Sequence, residues 1–86
     1  MLYKKRKFDI RCYMVITAHN LHLRAFWYRE GYIRTSSVEF SNSNPENLLM
    51  HLTNDAVQKK SHLYGKYEQG NKVSYAEFEK YLKDTN

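Results

Sequence analysis

The sequence predicts an α+β fold: an antiparallel sheet with one C-terminal amphipathic helix. Three observations predict it. Residues 8–17 alternate in polarity with the two-residue period of a strand. Residues 22–29 form a second strand-like run, separated from the first by a short turn. Residues 75–83 space their apolar side chains as a helix does, behind an N-capping signal.

The first strand follows four consecutive cations, Lys4 to Lys7. Phe8, Ile10, Cys12, Met14 and Ile16 fall on one face, and Asp9, Arg11, Tyr13, Val15 and Thr17 on the other. Asp9 and Arg11 therefore point the same way, next to Lys7. Such a face is either solvated or one wall of a cleft for a charged ligand. A hairpin centred on Asn20, within the turn Ala18–Leu21, puts Arg11 opposite Arg29 on that face. Like charges directly opposite one another destabilise a strand pair. An anion such as a phosphate or carboxylate between them removes the penalty. A register shifted by half a residue turns Arg29 to the other face and removes the argument.

Gly31 permits a bulge or bend, and a short third strand is expected after it. Residues 39–47 read as a loop, because Pro45 forbids a central strand there. A helical turn fits after Pro45. The apolar run Leu48–Asn54 is too short to separate helix from strand, and it leads into Thr53-Asn54-Asp55, three small polar groups. Residues 56–72 hold four lysines and two glycines but few aliphatics, and read as a long mobile loop. In the last element, Ser74 and Glu77 form a capping box, and Tyr75, Phe78, Tyr81 and Leu82 make one apolar stripe that belongs to a core.

Composition narrows the function. Residues 1–34 carry eight Lys/Arg and two acids, net +6, whereas residues 35–86 carry six and seven, net −1. The basic half is the strand half, which implies an anionic partner for the sheet. Cys12 is the single cysteine, so no disulfide forms within the chain. On the apolar strand face it reads as a small buried hydrophobe. No apolar run reaches membrane-spanning length and no secretory signal opens the chain. His19, His22, His51 and His62, with one cysteine, lack zinc-ligand pairing and read as turn and surface residues. The mixture of cations and aromatics on strands suggests single-stranded nucleic acid, but no RNP-like or GxxG motif supports that reading. At 86 residues the chain is one domain at most. One short helix gives too little cover for the hairpin's apolar face, so exposed apolar surface is expected.

Four stretches, in order, carry a family resemblance: Arg6-Lys7-Phe8-Asp9-Ile10-Arg11, Tyr28-Arg29-Glu30-Gly31 with Arg34-Thr35-Ser36-Ser37, His51-Leu52-Thr53-Asn54 with Gln58-Lys59, and Tyr64 to Asn71. Together they resemble the central part of the tubulin–tyrosine ligase and ligase-like family, over nearly the whole chain. The resemblance implies a slice of an ATP-grasp fold, with residues 1–86 a partial domain. It also implies a reaction in which ATP phosphorylates a carboxylate and an amine displaces the acyl phosphate. Tyrosine, glutamate or glycine would be added to tubulin or another acidic protein tail. Expected partners are that tail and the remainder of the catalytic domain, with no nucleic acid and no membrane. The expected setting is cytoplasm, cytoskeleton or cilium.

By the same resemblance Lys7 and Asp9 contact the nucleotide, and Arg11 and Arg29 line the phosphate and acyl-phosphate region. His51, Thr53 and Asn54 close over nucleotide and amino acid. The implied cofactors are ATP and magnesium. The family's magnesium motif, Glu-x-Asn, has no match in this chain. The segment alone is therefore expected to be inactive. The alternative is a non-catalytic basic module that binds acidic tubulin tails or microtubules.

Overall fold

The computed structural model describes all 86 residues, Met1–Asn86. β1 (Arg6–His19) and β2 (His22–Glu39) form a long antiparallel hairpin. Asn20 and Leu21 alone connect them, both with positive φ, at 46° and 67°. Positive φ at both central residues matches a type I′ turn, whose twist suits the flanking strands. Short helices α1 (Leu48–His51) and α2 (Asp55–Gln58) follow, then a single helical turn at Gln69–Asn71. β3 (Lys72–Ser74) pairs antiparallel with β2, and α3 (Tyr75–Thr85) closes the chain. The sheet order is β1-β2-β3. The α+β architecture expected from the sequence is therefore present. The segment expected as a separate third strand is the second half of β2, because Gly31 sits in a bulge that bends the strand without ending it.

The register corrects the expected hairpin. The turn is centred between Asn20 and Leu21, so Tyr13 lies opposite Tyr28 and Met14 opposite Trp27. Past these pairs, three residues of β2 (Arg29, Glu30 and Gly31) face the single residue Cys12. Beyond the bulge Arg11 pairs with Tyr32 and Asp9 with Arg34. Arg11 and Arg29 are therefore not opposed, and the argument from two facing guanidinium groups fails on geometry. At Gly31 a Cβ would collide with the Arg11 carbonyl and the Tyr75 ring. The Tyr75 hydroxyl donates to that carbonyl at 2.6 Å, so α3 locks the bulge.

The apolar core is small and sits at the base of the hairpin. Tyr3, Ile33, Val73 and Phe78 are buried, with Phe8, Tyr75, Tyr81 and Leu82 packed around them. The stripe read from residues 75–82 is thus core packing. Tyr3 enters this core by a tight turn in which it exchanges two backbone hydrogen bonds with Arg6, both 2.9 Å. Ser74 Oγ accepts from the Glu77 amide at 3.2 Å, forming the Ser half of the expected capping box.

The run of cations divides. Lys4 and Lys5 form the exposed turn before β1, whereas Arg6 is 1% exposed. Its guanidinium meets both Glu68 carboxylate oxygens at 2.8 Å, donates to the Ser36 carbonyl at 3.0 Å, and lies 4.2 Å from the Tyr67 ring centroid. Residues 56–72, expected as a mobile loop, are held by this ion pair and by Asn71. Asn71 Nδ2 donates to the Thr35 carbonyl at 3.0 Å and Ser37 Oγ at 2.8 Å, and its Oδ1 accepts from the Gly65 amide at 2.7 Å.

Beyond the core the hairpin projects as an arm. The molecule measures 54 × 30 × 23 Å, with a radius of gyration of 16.2 Å. A compact chain of this length would have about 12 Å. Met14, Ile16 and Trp27 are exposed on the α3 side, and Val15, Phe26 and Tyr28 on the other. The expected surplus of exposed apolar surface is present on both faces. Cys12, expected to be buried, is exposed, because α3 covers only the hairpin's base.

Candidate functional site

The sheet face away from α3 carries the charged residues. Asp9 is its hub. Arg34, directly opposite on β2, donates Nε to Oδ1 at 3.0 Å and a terminal nitrogen to Oδ2 at 2.5 Å. This two-pronged geometry is the strong form of a carboxylate pair. Thr53 donates its hydroxyl to Asp9 Oδ2 at 3.0 Å, and Arg11 approaches the same oxygen at 3.7 Å. One carboxylate thus aligns two guanidinium groups and a hydroxyl.

Beside it, Lys7 Nζ lies 2.6 Å from His51 Nδ1. An ammonium has no acceptor, so Nδ1 accepts and the ring proton resides on Nε2. The Phe40 ring borders both, 5.1 Å from Lys7 Nζ and 6.1 Å from the His51 ring. His51 Nε2 and Arg11 Nε are buried and have no hydrogen-bond partner. Buried polar atoms are almost always satisfied. Two orphaned donors on one cationic face suit a ligand with acceptor oxygens.

His51 is the last residue of α1, and Thr53 lies between α1 and α2. Asn47 caps α1, its Oδ1 accepting from the Leu49 amide at 3.1 Å. Asn54 caps α2 through its carbonyl, which accepts from the Val57 and Gln58 amides, each at 2.9 Å. Its side chain makes no capping bond. Asp55, next in sequence, accepts from the Tyr64 hydroxyl at 2.7 Å and pairs with Lys59 at 3.0 Å. The Tyr64 hydrogen bond, then Lys59, hold its carboxyl below the ordinary carboxylate value. The same bond pushes the Tyr64 hydroxyl up.

Five of the seven residues singled out from the sequence therefore meet on one face: Lys7, Asp9, Arg11, His51 and Thr53. Asn54 adjoins them through the backbone. Arg29 does not join them. It lies exposed in the bulge opposite Cys12. Arg34 is not among the site residues expected from the sequence, although it lies in a stretch that carries the family resemblance. Only the true register could have placed it opposite Asp9. No three His, Cys, Asp or Glu side chains cluster as a metal site. No helix is long and apolar enough to cross a membrane.

Comparison with known proteins gives this face a context. The model of the Tubulin-tyrosine ligase family matches residues 1–86. Tubulin glycylase 3D of Tetrahymena thermophila is 36% identical over 88 residues, covering 99% of this chain and 8% of the relative. Probable tubulin polyglutamylase TTLL9 of Rattus norvegicus is 39% identical over 77 residues, covering 90% and 16%. Tubulin polyglutamylase ttll6 of Danio rerio is 35% identical over 82 residues, covering 91% and 10%. The chain thus spans a small part of the length of each relative.

Proposed function

The chain belongs to the tubulin–tyrosine ligase family, and from that membership we propose that it forms part of an ATP-dependent ligase adding an amino acid to tubulin or another acidic protein. The names of its relatives, glycylases and polyglutamylases, favour glycine or glutamate over tyrosine as the added residue. On this reading the sheet is a slice of an ATP-grasp fold, and the working place of the protein is the cytoskeleton.

The observation that carries the proposal is the convergence of Arg11, Arg34 and Thr53 on Asp9, with the Lys7–His51 pair on the same face. When bound, ATP supplies the phosphoryl group that activates a substrate carboxylate for attack by an amine. The chain's own part is to place charge. Lys7 and Arg11 present cations to the phosphate oxygens, and His51 Nε2 and Arg11 Nε have no partner within the protein. Asp9 holds Arg34 through two hydrogen bonds and lies 3.7 Å from Arg11, so part of the charge is placed before ligand arrives. Arg29 enters this reading through the family resemblance alone, and Asn54 through the resemblance and its neighbour Thr53. These residues include no Glu-x-Asn pair to hold magnesium.

The test is ligation by the full-length polypeptide that carries this segment, with labelled glycine or glutamate and microtubules as substrate. Arg11→Ala should lower kcat/KM on the order of 10²-fold with the fold intact by circular dichroism. Wild-type turnover in that variant overturns the assignment. Arg29→Ala in parallel decides whether the bulge arginine contributes. Salt-sensitive binding to microtubules that disappears when their acidic tails are removed, with no ligation, would favour the non-catalytic binding module instead.

A further inference from the structure

His51 and Thr53 reach the charged face from a segment that is not paired into the sheet. Its helices, α1 and α2, are four residues each, too short to hold themselves. What fixes the segment is Gln58. Its side chain is fully buried, and both ends of the amide are used. Oε1 accepts from the Ser37 amide at 2.9 Å and the Ser37 hydroxyl at 2.6 Å. Nε2 donates to the Leu49 carbonyl at 2.8 Å and the Leu52 carbonyl at 2.5 Å. Those two carbonyls bracket Met50 and His51, and the second immediately precedes Thr53. One side chain therefore ties β2 to the backbone on both sides of His51. Ser36 reinforces the first tie, its hydroxyl donating to the Leu49 carbonyl at 2.6 Å.

We infer that Gln58 is a positioning residue: through the Leu49 and Leu52 carbonyls it sets His51 against Lys7 and Thr53 against Asp9, without touching a ligand itself. Its effect on catalysis rests on the nucleotide reading of this face, but its effect on His51 does not. An amide is needed because the side chain must accept at one end and donate twice at the other. Glutamate has the same shape, yet as an ionised acceptor it would face two carbonyl oxygens with no proton to offer.

The experiment follows the His51 ring nitrogens by long-range ¹H–¹⁵N correlation in the intact chain, with circular dichroism as the folding control. Gln58→Glu should shift His51 Nδ1 away from its Lys7-bonded position. Ser37→Ala, a milder change that loosens the anchor on β2, should move the same resonance in the same direction by less. Ser74→Ala, a distant helix cap, should leave it unmoved. If Gln58→Glu does not fold, the comparison of Ser37→Ala with Ser74→Ala decides. An unmoved His51 ring in the folded Gln58 or Ser37 variants overturns the inference, as does an equal shift in Ser74→Ala. In the full-length enzyme, Gln58→Glu should lower kcat/KM for ATP by about 10²-fold, as small misplacements do. A His51 shift with unchanged ATP kinetics would uphold the positioning role and reject the nucleotide reading.

Discussion

Glu68→Gln isolates the ion pair that holds the 61–71 segment to the sheet. The Arg6 side chain is 1% exposed and that of Glu68 9%. Removing one partner of a buried pair leaves an uncompensated charge, which costs about 3–5 kcal/mol. Glutamine keeps the shape and one acceptor oxygen. The Ser36 carbonyl and the Tyr67 ring also remain beside Arg6. The low end of the range, about 3 kcal/mol, is therefore expected. For a domain of this size that corresponds to a fall in Tm of roughly 12–24 °C.

The companion variant is Arg6→Met with Glu68→Leu. Arg6 Nε is already buried without a partner, so the native pair carries an unrecovered desolvation cost. Replacing both charges with apolar side chains should return stability to within about 1 kcal/mol of wild type. Urea unfolding followed by circular dichroism measures both. A Glu68→Gln loss below about 0.5 kcal/mol, or a double variant as unstable as the single one, refutes the reasoning.

Three further outcomes are expected. Gly31→Ala should cost about 1–3 kcal/mol by overpacking, near the upper end because the atoms in the way include the Arg11 backbone carbonyl; thermal unfolding measures it. Ser74→Ala should cost about 1 kcal/mol through loss of the α3 cap, with amide exchange rising at Glu77. Asp55 has a depressed folded-state pKa, so its contribution is fully present above the unfolded value of 3.8 and is lost as pH falls through the lower folded value. Asp55→Asn should flatten that acid limb of a stability–pH curve, and an unchanged limb would assign the acid sensitivity elsewhere.

The elements that could be read from the sequence are those whose order is periodic. The faces of β1 follow from alternation, and the stripe of α3 follows from Tyr75, Phe78, Tyr81 and Leu82. Segment 56–72 has no such period. Its order comes from single polar side chains, Gln58, Glu68 and Asn71, each bonded to residues about 20 to 60 positions away. Nothing local reports such contacts. Lys7, Asp9, Arg11, His51 and Thr53 were legible as a group through their motifs, and the structure gathers them. Arg34 was not, because choosing Asp9's partner requires the register. Register cannot be counted through a bulge whose size the sequence does not state. Cys12 fails for another reason: alternation assigns a face, but only the length of α3 decides how far along that face burial extends.

The bulges also explain why the charged face survives such irregular pairing. Between Tyr13/Tyr28 and Arg11/Tyr32, β2 carries two more residues than β1, and between Phe8/Thr35 and Arg6/Glu39 it again carries two more. An insertion of two preserves the alternation of side chains, whereas an insertion of one inverts it. Tyr32 and Arg34 therefore share a face with Arg11 and Asp9, as they would in an uninterrupted ladder. Had one residue been inserted beside Cys12, Arg34 would have turned toward the α3 side, leaving Asp9 without its two-pronged partner. The Tyr75 hydroxyl on the Arg11 carbonyl, packed against Gly31, fixes the bulge at this size. The amphipathic helix on one face of the sheet thus bears on the charge alignment on the other.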